Sequence, residues 1–432
     1  MKYIQNTESD IKKMLEIIGV EKFDDLLSMI PDKLILKDQI DIGEPLSEIE
    51  LISDTESFKN KNKKMICFNG GGVYDHHIPS VVDFLSSKSE YYTAYTPYQA
   101  EVSQGTLQYL YEFQSMISML SGLDVSNASL YDGASALAEA CSMSINVTNK
   151  KKILISSTVN SNYIEVVKTY LSQRDIEILL IDEKEGYSDI DKLPSLDDVA
   201  SVVIQSPNCY GLIEDWSLWS KVTDSCLLIA VSDPLSLAVI ESPGECGADI
   251  YCGEGQSLGS YMNLGGPFLG LLSSKMKYVR KMPGRIIGKT EDMLGKEGYV
   301  LTLQAREQHI RRDKANSNIC TNQSLIALRA TIYMSLLGKY GLSCISKTCF
   351  NKSQYAAKEI SKISGFSIPY GFNFIKEFVV STDKFIDKII ENANNENISL
   401  SRTKNSGQIL IAVTEKRTKQ EIDTLVDFLK IQ

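Results

Sequence analysis

Apolar and polar positions along this chain change period several times, and each change predicts an element. Behind the capping stretch Thr7-Glu8-Ser9-Asp10, the residues Ile11, Met14, Leu15 and Ile18 recur at helical spacing until Gly19. Leu26, Leu27, Met29 and Ile30 lead into Pro31, and a further helix carries Leu46, Ile49 and Leu51. Residues 1–62 thus read as a helical N-terminal arm. From Thr106 to Leu120 the apolar side chains Leu107, Leu110, Tyr111, Phe113, Met116, Ile117 and Leu120 lie nearly all round a helix, which marks it as buried, with Gly122 as its stop. A second helix opens at Asp132 and runs to about Ile145.

The period then shortens. Ile153–Ser156, Ile176–Ile181, Val199–Ile204, Cys226–Val231, Asp249–Cys252 and Phe268–Leu272 are apolar runs of strand length, with helical patterns at Ser161–Tyr170 and Ser217–Thr223 between them. This rhythm predicts an α/β fold with a mainly parallel sheet, placing a large domain over residues 63–335. Leu325–Leu337 follows as an apolar helix stopped by Gly338. Beyond it, helical patterns at Tyr355–Ile363 and Thr418–Leu429 and strand-like runs at Phe374–Ser381 and Ile409–Val413 predict a small C-terminal α+β domain, residues 336–432.

Composition narrows the class. A chain of 432 residues with 43% apolar and 23% charged residues is globular, and its net charge of -10 disfavours nonspecific binding of nucleic acid. Its apolar windows are too short for a membrane span, and Met1-Lys2-Tyr3-Ile4 opens no signal-peptide core, so a cytosolic location is expected. The 9 cysteines are scattered without a Cys-x-x-Cys pair and read as reduced, mostly buried thiols.

Several stretches carry candidate chemistry. Tyr91 to Gln108 gathers tyrosines, threonines and glutamines around Pro97, groups that both donate and accept hydrogen bonds; they suit a polar ligand site or a capped surface loop. Gly70-Gly71-Gly72 lets a ligand or strand come close, beside His76 and His77, which read as hydrogen-bonded loop histidines in preference to metal ligands; no metal site is expected. Gly133, Ala134 and Ser135 open a helix whose amides suit a phosphate, unless Asp132 simply caps it. Ligands of such sheets lie beyond the strands' carboxyl ends, where Asp233 is the candidate partner for a positively charged ring nitrogen, unless it simply caps the turn. Between Lys221 and Lys275 there is no lysine or arginine, so no lysine reaches the site from that segment. Past Lys275 the charge reverses: Lys275 to Lys289 and Arg306 to Lys314 form basic runs that read as solvated helix faces or a docking patch, and Asn316, Asn318 and Asn322 read as cap residues.

The stretches Gly71-Gly72-Val73-Tyr74-Asp75-His76-His77-Ile78-Pro79-Ser80, Tyr92-Thr93-Ala94-Tyr95-Thr96-Pro97-Tyr98-Gln99-Ala100-Glu101, Ser103-Gln104-Gly105, Met282-Pro283-Gly284-Arg285, Leu301-Thr302-Leu303-Gln304 and Ser317-Asn318-Ile319-Cys320-Thr321-Asn322-Gln323 together resemble glycine dehydrogenase (decarboxylating) subunit 1. This family is the amino-terminal half of the pyridoxal-phosphate protein of the glycine cleavage system, as a separate chain.

The resemblance implies fold type I of the pyridoxal-phosphate enzymes, the aminotransferase-like fold. It implies a heterotetramer with subunit 2, glycine as substrate, and transfer of the aminomethyl group to the lipoyl arm of the carrier H-protein. The cofactor lysine is then expected on subunit 2, with none bound covalently here, and Gln256 stands where a cofactor-bearing relative would place lysine. Tyr95, Tyr98, Gln99 and Thr93 are expected to reach across the interface, Gly133, Ala134, Ser135, Asp233 and Gln256 to form a degenerate cofactor pocket, and Arg311, Arg312 and Lys314 to dock the carrier. Two other readings stand beside this one: a structural half that contributes no catalytic group, and a stand-alone enzyme with a lysine from elsewhere.

Overall fold

A computed structural model describes residues 5–38, 40–263, 265–315, 317, 319 and 321–432. Met1 to Ile4, Asn316, Asn318 and Cys320, on which some expectations rest, lie outside the described residues. The chain divides into two compact units, Met1–Lys63 and Lys64–Gln432. In the first, α1 (Glu8–Ile18) begins at Thr7, whose hydroxyl accepts the Asp10 amide while the Asp10 carboxylate accepts the Thr7 amide. Gly19 closes it in a left-handed conformation. Helix α2 (Glu48–Lys61) carries the same reciprocal cap from Ser47 and Glu50.

The second unit is built on a seven-stranded sheet flanked by helices α3 (Gln104–Ser121), α4 (Gly133–Thr148) and α5 (Ser161–Leu171). Its strands are β1 (Val125–Ser126), β2 (Lys152–Ser156), β3 (Glu177–Ile181), β4 (Val199–Gln205), β5 (Leu227–Val231), β6 (Ile250–Glu254) and β7 (Gly270–Ser274), in the order β1-β7-β6-β5-β4-β2-β3. Neighbours from β3 across to β6 are parallel, while β7 pairs antiparallel with β6 and β1. Successive residues face opposite ways, so Leu154, Val202, Leu228 and Leu271 enter one core with α3, and Ile153, Val203, Ile229 and Leu272 enter another with α4 and α5. Burial on both faces is why these strands read as apolar runs without alternation.

A hairpin of β8 (Ile286–Glu291) and β9 (Glu297–Thr302) follows the sheet. It corrects the helix-face reading for part of the first basic run, since Arg285 enters the hairpin buried, at 3% exposure, and Lys289 pairs with Glu297 across it. Gly338 stops the next helix as expected: its backbone is non-helical (φ 58°, ψ -174°), and the helical span α6 (Ser324–Ile360) is two helices meeting at that kink, just past the expected domain boundary at 335/336. The C-terminal part pairs β10 (Glu377–Thr382) with β11 (Gln408–Ala412) and packs α7 (Ile386–Asn395) and α8 (Lys419–Lys430) around Phe378, Ile389, Ile411 and Leu425.

Gly211, in the turn after β4, has φ of 84°, and a Cβ on it would lie 1.9 Å from the Glu377 carbonyl oxygen. Gly211→Ala is therefore expected to cost more than about 1 kcal/mol, read as a lower urea midpoint with an unchanged slope.

Candidate functional site

Strands β4, β5 and β6 point their carboxyl ends at one pocket. Asp233, just past β5, is held from every side: its Oδ1 accepts from Ser257 Oγ at 2.8 Å, and its Oδ2 accepts the Ser236 amide and hydroxyl, both at 3.1 Å. Lys376, the residue before β10, brings its Nζ to 2.9 Å from the same Oδ2 and 3.8 Å from the centre of the Tyr74 ring. The lysine-free segment excluded a lysine from the sheet only. Lys376 enters from the C-terminal part, so in this structure the Asp233 carboxylate faces an ammonium. Burial pushes the Asp233 carboxyl up, but the Lys376 ammonium outweighs it and holds it below its usual value.

His76 continues the network. Lys376 can only donate, so His76 Nε2 accepts from its Nζ at 3.0 Å, which leaves the proton on Nδ1 for Glu415 Oε2, 2.6 Å away. Burial, and then Lys376, lower the His76 pKa, in keeping with this neutral form. The His77 amide donates to the other oxygen of Glu415 at 2.6 Å. What approaches the glycine triplet closely is Glu377: its Oε2 accepts the Gly71 amide at 2.5 Å and would lie 1.9 Å from a Cβ on Gly70, while Tyr74 donates its hydroxyl to Oε1 at 3.3 Å.

Gln256, just past β6, is buried with its amide fully engaged: Oε1 accepts the Tyr74 amide at 3.0 Å, and Nε2 donates to the carbonyls of Tyr74 and Ser260 at 3.0 and 2.7 Å. At the mouth of α4, Asp132 accepts the Ser135 amide at 2.7 Å. Glu254 takes the Gly133 amide at 2.9 Å on Oε2 and the amides of Gln256 and Leu269, each at 2.9 Å, on Oε1. Of the residues expected in the pocket, Asp233 lines it, Gly133 and Gln256 border it through Glu254 and Tyr74, and Ala134 and Ser135 lie in the first turn of α4. Lys376, Glu377, Glu415 and Glu254 were missed. The readable signal for the first two was a Lys-Glu pair inside the apolar run Phe374 to Val380.

The tyrosine stretch lies elsewhere, and none of Thr93, Tyr95, Tyr98 and Gln99 lines this pocket. Thr93 donates its hydroxyl to the Ser89 carbonyl one turn back, at 2.7 Å. Tyr95 is 77% and Tyr98 56% exposed. Tyr98 nevertheless has a fixed support: Arg285 donates to its hydroxyl at 3.1 Å with the guanidinium 5.4 Å from the ring centre, and the His309 ring meets it edge-on. Gln99 is exposed at the start of a short helical turn. Arg311, Arg312 and Lys314 are exposed on neighbouring short turns, with Arg311 Nε donating to the Ala305 carbonyl at 3.1 Å.

With this geometry described, comparison with known proteins identifies the family. Residues 1–429 match the family model described as "Glycine cleavage system P-protein". The chain belongs to the glycine cleavage system P-protein family. Two relatives named "Probable glycine dehydrogenase (decarboxylating) subunit 1" are similar over nearly the whole length. The one from Chloroherpeton thalassium is 44% identical and covers 100% of this chain and 99% of its own. The one from Desulforamulus reducens is 47% identical and covers 98% of each. A crystal structure of glycine decarboxylase (P-protein) of the glycine cleavage system, in inhibitor-bound form, superposes with a TM-score of 0.92 at 36% identity, covering 100% of both chains. A Lactobacillus brevis glutamate decarboxylase, with a TM-score of 0.68 at 10% identity over 92% of this chain and 95% of its own, shares the fold alone. This P-protein chain is thus a subunit 1 of glycine dehydrogenase (decarboxylating) with the aminotransferase-like fold of the pyridoxal-phosphate enzymes. No helix among its described residues is long and apolar enough to cross a membrane.

Proposed function

We propose that this chain is the lysine-less subunit of a cytosolic glycine decarboxylase, assembled as two copies with two of subunit 2, which carries the cofactor lysine. The substrate is glycine, and the aminomethyl group passes to the lipoyl arm of H-protein. Pyridoxal phosphate, when bound, supplies the electron sink for loss of the carboxylate; the protein orients and encloses the reactants. Tyr95, Tyr98, Gln99 and Thr93 form one wall of the partner's site, and Arg311, Arg312 and Lys314 dock the carrier.

The observation that carries this reading is Tyr98, an exposed phenol fixed by a buried arginine. A phenol braced from behind and open in front is arranged to meet something else. In the complex reconstituted with subunit 2, Tyr98→Phe and Tyr95→Phe are each expected to lower glycine turnover by about tenfold, a loss of about 1.4 kcal/mol of transition-state stabilisation. Replacing Arg311, Arg312 and Lys314 by glutamine is expected to raise the KM for the carrier while kcat holds, with the difference fading at high salt. Full turnover in both tyrosine variants would favour the second reading, a half that stabilises subunit 2 without touching substrate. The Lys376–Asp233 pair, which commits the candidate ring-nitrogen partner to an internal cation, is the observation on that side.

A further inference from the structure

Fold type I implies pyridoxal phosphate, and the pocket past β4, β5 and β6 is where this chain would hold it. Such a cofactor brings two charges that a protein must answer: a ring nitrogen that is met by a carboxylate, and a phosphate that is met by helix-terminal amides. Both answers are already given. The carboxylate, Asp233, holds the Lys376 ammonium at 2.9 Å, a cationic N–H donor like the ring nitrogen itself. The first amide of α4, at Gly133, is taken by Glu254, an acidic acceptor like the phosphate. Gln256 supplies no amine for a covalent link, and its amide is spent on the Tyr74 and Ser260 backbone. The free space among Asp233, Glu254, Lys376 and Glu377 is about 30 Å³. That is room for a water, where small-ligand sites run to roughly 300 Å³ or more.

We infer that this chain fills its own cofactor pocket: Lys376 takes the position of the ring nitrogen on Asp233, Glu254 takes that of the phosphate at α4, and the chain holds no pyridoxal phosphate itself. This rests on, and deepens, the reading that the cofactor belongs to subunit 2. The same side chains also join the C-terminal part to the sheet, since Lys376 and Glu377 flank the start of β10 while Asp233 and Gly71 lie outside it. The pocket is thereby both filled and closed.

The test uses the full chain alone and pyridoxine 5′-phosphate, which lacks the aldehyde and so cannot react with surface lysines. In equilibrium dialysis the wild-type chain is expected to take up none saturably at millimolar probe. The Glu254→Ala, Lys376→Ala double variant is expected to bind it at least tenfold more tightly. Because the double variant breaks the buried Lys376–Asp233 pair and leaves Asp233 alone, Glu254→Ala by itself is a second arm: inorganic phosphate should raise its Tm and leave that of the wild type unmoved. Saturable one-to-one uptake by the wild-type chain, competed by inorganic phosphate, would overturn the inference. So would a folded Glu254→Ala chain indifferent to phosphate. Either failure leaves the reconstitution experiment untouched, since that one reads turnover of the complex and this one reads ligand uptake by a single chain.

Discussion

Lys376→Met is expected to lower the unfolding free energy by about 3–5 kcal/mol, the cost of leaving one partner of a buried ion pair alone. The side chains of Lys376 and Asp233 are 5% and 13% exposed, so water can do little to replace the lost ammonium. Asp233 would keep its hydroxyl and amide donors from Ser257 and Ser236 but lose the cation that offsets its burial. His76 would lose the donor on Nε2 at the same time. Adding Asp233→Asn to Lys376→Met should recover part of the loss, with an interaction term of about 0.5–3 kcal/mol in the double-mutant cycle. Urea midpoints of the four chains measure it. Additive losses would mean that the two side chains do not depend on each other, contrary to the 2.9 Å contact.

Between pH 5 and pH 8.5 the chain is expected to lose stability by a few kcal/mol as pH rises. Burial raises Glu254 to about 8, against the pull of the Leu269, Gly133 and Gln256 amides, and raises Glu377 to about 7. In the unfolded chain both titrate near 4.5. Between that value and the raised one the folded chain holds the extra protons, so stability falls with pH across the window. Glu415 acts the other way: burial raises it, but the His76 and His77 hydrogen bonds prevail and bring it to about 2. Its contribution is present above the unfolded value and is lost as pH falls towards 2. The midpoint should therefore be higher at pH 5.5 than at pH 8.5, and Glu254→Gln should flatten that slope whatever it does to absolute stability. A midpoint that rises over this range would reject the assignment.

Much of the scaffold could be read from the residues. Runs such as Ile153 to Ser156 and Cys226 to Val231 are apolar because both faces of the sheet are covered, and Asp132 announced its cap by the serine three residues on. The hairpin over 286–302 could not be read, because half of its first strand is exposed and polar, and the basic residues around it suggested a helix face instead. The site separates along the same line. Gly133, Asp233 and Gln256 were legible because strand ends and helix starts mark ligand positions in any open α/β sheet. Their occupants were not, because a buried charge is explained only by partners distant in sequence: Glu377 meets Gly71 across 306 residues, and Lys376 meets His76 across 300. The tyrosine stretch was legible as unusual, but this chain alone leaves Tyr95 and Tyr98 exposed, and nothing within one sequence says what meets them.

The Lys376–Asp233 contact also changes what the stability of this chain responds to. A diffusible ligand stabilises a fold in proportion to the logarithm of its concentration, so a protein that depends on one weakens whenever supply falls. An ammonium tethered through the backbone has a fixed effective concentration and cannot be diluted away. The folded population of this chain should therefore stay constant when the supply of a diffusible cofactor falls.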